Sequence, residues 1–135
     1  MTAEELLARR EGRPLKVLIV DDEEHVRNVL RDFCLSSSLF TVTTAAGGAE
    51  AINIVEKYDF DMVTIDLVMP EVSGIDAIEM IRRQKPHLPV IIVTGNATDR
   101  LIAEAGRFGN CRVMHKPVGI EQFLDELIDI AGEKC

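Results

Sequence analysis

Four apolar segments of this 135-residue chain each end at a residue type that carries chemistry. Lys16–Val20 (KVLIV) runs into Asp21 and Asp22, Met62–Ile65 (MVTI) into Asp66, Val90–Val93 (VIIV) into Thr94, and Cys111–His115 (CRVMH) into Lys116. Brought together, three carboxylates, a hydroxyl and an ammonium would hold a cation beside an anion. Two carboxylates about 5 Å apart repel by roughly 3 kcal/mol at an effective dielectric near ~20. Three of them need a counter-ion, and an oxygen-only set without paired His or Cys favours magnesium, with manganese as the alternative. The dication and Lys116 then cancel the three acids. A carboxylate can also attack phosphorus and form an aspartyl phosphate. Phosphoryl transfer asks mainly for positioning and charge neutralisation, which a cation, Lys116 and the Thr94 hydroxyl can supply. Gly95 leaves the approach to Thr94 uncrowded.

The elements that must position these residues alternate along the chain. Lys16–Val20, Met62–Ile65 and Val90–Val93 are nearly continuous apolar runs, as in strands buried on both faces of a parallel sheet. Phe40–Thr44 alternates and Cys111–His115 is mixed, which predicts two half-covered edge strands. Between the runs lie helical stripes. They comprise Val26, Val29, Leu30, Phe33 and Cys34; then Ala51, Ile54, Val55 and Tyr58; then Ala77, Ile78 and Ile81; then Leu101, Ile102 and Ala105. The last is Ile120, Phe123, Leu124, Leu127, Ile128 and Ala131. The order βαβαβαβαβα predicts an α/β fold with helices on both faces of a doubly wound, five-stranded parallel sheet. Placing the three most apolar strands centrally gives the order 2-1-3-4-5 with right-handed crossovers. The chain reverses direction between strands one and three, and ligands bind at that switch point, outside the carboxyl ends of the strands.

Each chemical residue alone has an ordinary reading. Asp21 and Asp22 could cap the first core helix, Asp66 could be a turn residue, Thr94 could cap the fourth core helix, and Lys116 could be a solvated lysine. Their occurrence in order at four strand ends is what points to a site.

Bulk properties narrow the class. The formal net charge is −8, which argues against a direct nucleic-acid surface. Hydrophobic residues at 47% allow a real core, and no apolar run approaches the roughly 18 residues of a membrane span. Met1 to Arg10 alternates acid and base and is no signal peptide. Cys34, Cys111 and Cys135 lack metal-ligand spacing and read as buried or terminal thiols of a reducing, cytoplasmic chain. His25, His87 and His115 share no ligand spacing, and neither GxxxxGK[ST] nor GxGxxG occurs. Gly74 reads as freedom for the turn into the following helix.

The stretches VLIVDDEE, TIDLVMPEVSG, VIIVTGN and MHKPV, in that order, resemble the receiver domain of bacterial two-component response regulators, with its flavodoxin-like fold. The resemblance covers about residues 15–132, leaving 1–14 as an N-terminal extension and 133–135 as a tail. It implies that Asp66 accepts a phosphoryl group from a sensor histidine kinase or phosphotransfer protein. It further implies that Asp22, Asp66 and the Val68 carbonyl bind Mg2+, that Asp21 holds a metal-bound water, and that Thr94 and Lys116 bind the phosphoryl oxygens. The Lys116–Pro117 bond is expected to be cis. Such a domain is a signalling switch rather than a turnover enzyme, with a downstream protein or output domain as partner, and dimerisation is open to it. The rival reading is an interaction module that binds partners without phosphorylation. An aspartyl-phosphate hydrolase is disfavoured because Val68 stands where its second acid would be. No output domain follows the last helix, so the chain is expected to act alone or to be a piece of a longer protein.

Three departures matter. Val113 stands where the family usually has Tyr or Phe, so the expected signal route is Thr94 with the helix that follows it. Apolar Val68 does not orient an attacking water, whereas Asn96 can, and a phosphoryl lifetime of minutes or longer is expected. Thr2 and Glu5 have capping-box spacing, predicting a short helix over about residues 3–10 that packs through Leu6 and Leu7.

Overall fold

The computed structural model describes residues 1–109 and 111–134. The chain starts with helix α1 (Ala3–Arg9) and then alternates β1 (Leu15–Val20), α2 (Glu24–Leu35), β2 (Phe40–Ala45), α3 (Gly48–Lys57), β3 (Met62–Ile65), α4 (Gly74–Gln84), β4 (Val90–Thr94), α5 (Asp99–Gly106), β5 (Cys111–His115) and α6 (Ile120–Lys134). All strand pairs are parallel, in the order β2-β1-β3-β4-β5. This is the doubly wound, flavodoxin-like arrangement expected from the apolar runs. Helix α6 continues through residues 133 and 134, beyond the domain end expected at 132, and Cys135 lies outside the described residues.

Side chains alternate across each strand, so a strand between two helical layers must be apolar at every position. Leu18, Val20, Val63, Ile65, Val90 and Ile92 pack against α3, α4 and α5. Val17, Ile19, Met62, Ile91, Val93 and Met114 pack against α1, α2 and α6. Two stripe residues depart from expectation. Tyr58 is 64% exposed, because α3 ends at Lys57 and the chain turns extended there. Ile120 opens α6 at its exposed first turn, and Ile130 is buried instead.

Polar ties fix the periphery. Arg82 of α4 donates to the carbonyls of Leu88 (2.8 Å) and Phe108 (2.7 Å), joining the segments that lead into β4 and β5. Arg112 of β5 meets Glu126, Asp129 and Glu133 along one side of α6. Thr64 is buried among apolar side chains, and its hydroxyl has no partner among the described residues.

Helix α1 is built by the capping box: the Glu5 N–H donates to the Thr2 hydroxyl at 3.1 Å, and the Thr2 N–H faces the Glu5 carboxylate. Seven residues of helix are not stable alone. Leu6 supplies the missing stabilisation, entering the α2–α6 side of the core with no exposed surface. Arg10 pairs with Asp61 at 3.3 Å beside the start of β3, and the same Asp61 oxygen accepts from the Lys16 N–H at 2.8 Å. Leu6→Ala is therefore expected to lower unfolding free energy by about 2–4 kcal/mol, read from urea denaturation midpoints. An unchanged midpoint would mean that α1 only rests on the surface.

Candidate functional site

The carboxyl ends of β1, β3, β4 and β5 open on one rim, and the register places their chemical residues side by side. The Asp21 N–H donates to Ala45 O, the Asp66 N–H to Val20 O, and the Lys116 N–H to Thr94 O, so the strand ladder continues into the site. Asp21, Asp66 and Thr94 are buried, whereas Asp22 is exposed.

Asp66 is the centre. Its Oδ1 accepts from the Thr94 hydroxyl at 2.8 Å and from the Val68 N–H at 3.1 Å, and its Oδ2 accepts from Lys116 Nζ at 2.8 Å. Lys116 also lies 2.9 Å from Asp21 Oδ2 and 3.5 Å from Glu23 Oε1. Oxygens of Asp21, Asp22, Glu23 and Asp66 all fall within 4.8 Å of one another. Glu23 is the member that strand-end reasoning missed, although it directly follows Asp22. With it the cluster holds four acids rather than three, so a dication and Lys116 leave one negative charge instead of none.

One ammonium shared among buried acids leaves both partners shifted. Burial raises the Asp21 pKa, and the bonds from Lys116 and the Glu23 N–H only partly offset it. Burial also pulls the Lys116 pKa down, but its hydrogen bonds to Asp66 and Asp21 more than reverse this and hold the ammonium above its ordinary range. The cluster therefore lacks positive charge. Its four carboxylates, two of them buried, offer oxygen donors of the kind a small hard dication takes.

The single-residue alternatives are now decided. Neither Asp21 nor Asp22 caps α2: its N-cap is Glu23, with no side-chain capping bond, and Asp21 Oδ1 instead accepts from the Glu23 N–H at 2.9 Å. Thr94 does not cap α5, which Thr98 caps. Lys116 is mostly buried, and the Lys116–Pro117 bond is cis. Val68 turns its side chain outward, 43% exposed, and Asn96 is exposed. Val113 is half-buried, packed with the core on the α3–α4–α5 side.

One of two glycines near the site makes room. A Cβ on Gly74 would lie 2.2 Å from the Asp66 carbonyl oxygen and 2.5 Å from Leu67 Cα, contacts no side chain can make. Gly74 is thus required by close approach of α4 to the strand end bearing Asp66, rather than by turn freedom. A Cβ on Gly95 would meet Lys116 Cβ at 3.4 Å, an ordinary packing contact, so the lysine does not require a glycine there.

A parallel sheet with clustered acids, a buried hydroxyl and a lysine at its switch point defines the class of α/β domain to which this chain is compared. Residues 17–128 match the model of the response regulator receiver domain. The chain belongs to the response regulator receiver domain family. It is 31% identical over 123 residues to chemotaxis protein CheY-3 of Vibrio cholerae, covering 87% of this chain and 95% of that protein. It is 36% identical over 126 residues to a protein-glutamate methylesterase/protein-glutamine glutaminase of Pyrococcus horikoshii, covering 87% of this chain but 34% of that protein. The chain thus spans only part of some relatives' length. In fold it matches the CheY-like receiver domain of Methanospirillum hungatei with a TM-score of 0.86 at 22% identity, covering 90% of this chain and 97% of that one.

Gly74→Ala must push α4 away from Asp66, and a loss of about 2 kcal/mol or more in stability is expected, measured by thermal or urea unfolding. A neutral effect would show that α4 can slide freely. The raised Asp21 pKa has a definite sign: its contribution to stability is fully present below about 3.8, the unfolded value, and is lost as pH rises through the higher folded value. Asp21→Asn should therefore stabilise the ion-free protein at neutral pH and leave it little changed near pH 3. Destabilisation at neutral pH would show that its bond to Lys116 outweighs burial.

Proposed function

We propose that this domain accepts a phosphoryl group on Asp66 from a phosphohistidine of a sensor kinase or phosphotransfer protein, in a Mg2+-dependent reaction, and switches partner binding as a result. The observation that carries this reading is the engagement of Asp66 by Thr94 on one oxygen and Lys116 on the other, within a cluster of four acids. An ion there would neutralise carboxylate charge and polarise the incoming phosphoryl group. Asp22, Asp66 and the Val68 carbonyl would hold it, with Asp21 steadying a bound water.

The chain's own residues do the rest. One Asp66 oxygen attacks phosphorus, the P–N bond of the donor breaks, and the imidazole leaves with the electron pair. Lys116 is already protonated beside Asp66 and can follow charge from the carboxylate to the phosphoryl oxygens. Thr94 can move its hydroxyl from Asp66 Oδ1 to the new oxygens, and such a movement pulls on the segment leading to α5. Val113 has no ring to rotate, so the signal in this reading runs through Thr94 and α5, and the output partner meets the α5–β5–α6 face. The domain is a switch and not a turnover enzyme. A cytoplasmic location belongs to the same proposal; no helix among the described residues is long and apolar enough to cross a membrane.

Incubation with a small acyl phosphate and Mg2+ is expected to add one phosphoryl mass to the protein, none to Asp66→Asn, and little when Mg2+ is chelated. The adduct should decay over minutes or longer. No mass gain, or a gain that survives Asp66→Asn, would overturn the assignment. Partner binding indifferent to Asp66→Ala would favour the phosphorylation-independent module instead.

A further inference from the structure

Three of the four clustered acids, Asp21, Asp22 and Glu23, sit on one short turn between β1 and α2. Their mutual repulsion acts to open that turn. The usual means of securing such a turn is missing, because Glu23 at the N-cap of α2 makes no side-chain capping bond. Thr2, Ser73 and Thr98 do cap α1, α4 and α5. An uncapped helix start beside a charged turn is weakly anchored.

Lys116 holds the turn from outside through Asp21 and Glu23, and two bonds within the segment itself fold it back. One is the Glu23 N–H to Asp21 Oδ1, which uses an oxygen of the site itself. The other comes from Arg27, one turn into α2: its Nη1 donates to the Asp21 main-chain carbonyl at 2.8 Å. That bond leaves every carboxylate oxygen of the cluster free. Arg27 is half-buried and forms no ion pair with any carboxylate of the described residues. Its position therefore answers to a carbonyl rather than to the nearest acid. A guanidinium bond to a carbonyl is charge-assisted and stronger than a neutral one.

We infer that Arg27 is a positioning residue: it clamps the β1–α2 turn through the Asp21 carbonyl and thereby holds Asp21 and Asp22 in the arrangement that binds the cation. This rests on the phosphoacceptor reading for its purpose, but the clamp itself is a statement about the ion-free turn. Its test turns on a sign. Were Arg27 merely a nearby positive charge, removing it would tighten cation binding; losing a clamp weakens it.

The experiment uses the full chain with Arg27→Gln and Arg27→Lys. Mg2+ is titrated against backbone amide shifts, and amide exchange at Glu23 is followed without the ion. Arg27→Gln is expected to bind Mg2+ about tenfold more weakly and to exchange faster at Glu23. Arg27→Lys keeps the charge but ends short of where Nη1 meets the Asp21 carbonyl, and should change both readings in the same direction. Unperturbed shifts in β3, β4 and β5 check the fold; should the glutamine variant fail that check, the lysine variant decides by the same criteria. Parent-like or tighter Mg2+ binding, or unchanged exchange at Glu23, overturns the clamp. Normal labelling of Asp66 in a parent whose Arg27 variants bind Mg2+ as it does sinks this inference alone. A parent with no Mg2+ response sinks the proposed function with it.

Discussion

The rest of the structure depends on the crowding of negative charge at one end of a hydrophobic sheet. Four carboxylates lie within 4.8 Å of one another around a single ammonium, and Asp21 and Asp66 are buried. Burial strips them of water, so repulsion among them and attraction to Lys116 both act at short range in a medium that screens poorly. The arrangement is costly, and the buried Asp21 shows it by holding its proton more tightly than a free carboxylate. A group that must be compensated from outside is one that can respond to what arrives, whether a cation or a phosphoryl group.

Keeping such a cluster in place demands stiffness close by. The strand ladder reaches Asp21, Asp66 and Lys116 directly through main-chain bonds. Gly74 brings the start of α4 against the Asp66 backbone, closer than any side chain would allow. Stabilising contacts gather elsewhere. Leu6 enters the core from α1, Arg10 and Lys16 converge on Asp61, Arg82 ties the approaches to β4 and β5, and Arg112 joins β5 to three acids of α6. Among the described residues the buried carboxylates, Asp21 and Asp66, lie at the rim, and packing lies below it.

Much of this was legible from residue order. Continuous apolar runs can satisfy only a strand covered on both faces, so KVLIV, MVTI and VIIV had to be central. The less apolar FTVTT and CRVMH had to be edges. Parallel pairing then forces strand ends together, which is why Asp21, Asp66, Thr94 and Lys116 could be assigned to one crevice before any geometry was known. The capping-box spacing of Thr2 and Glu5 likewise marked α1, because that signal is local. Tyr58 was misplaced since a helical period does not say where the helix stops. Its apolar ring fits the stripe, but the backbone is already extended there.

By itself the chain's pattern of apolar runs and terminal polar residues determined the sheet, its strand order and the rim where chemistry collects, because those follow from burial and from parallel connection. Only the tertiary structure decided the distances on which the chemistry depends. Glu23 joins the acids because the β1–α2 turn bends toward Lys116, Arg27 reaches the Asp21 carbonyl because the same turn folds back onto α2, and Gly74 is needed because two backbones nearly touch. Each is a contact between segments whose separation no local period encodes.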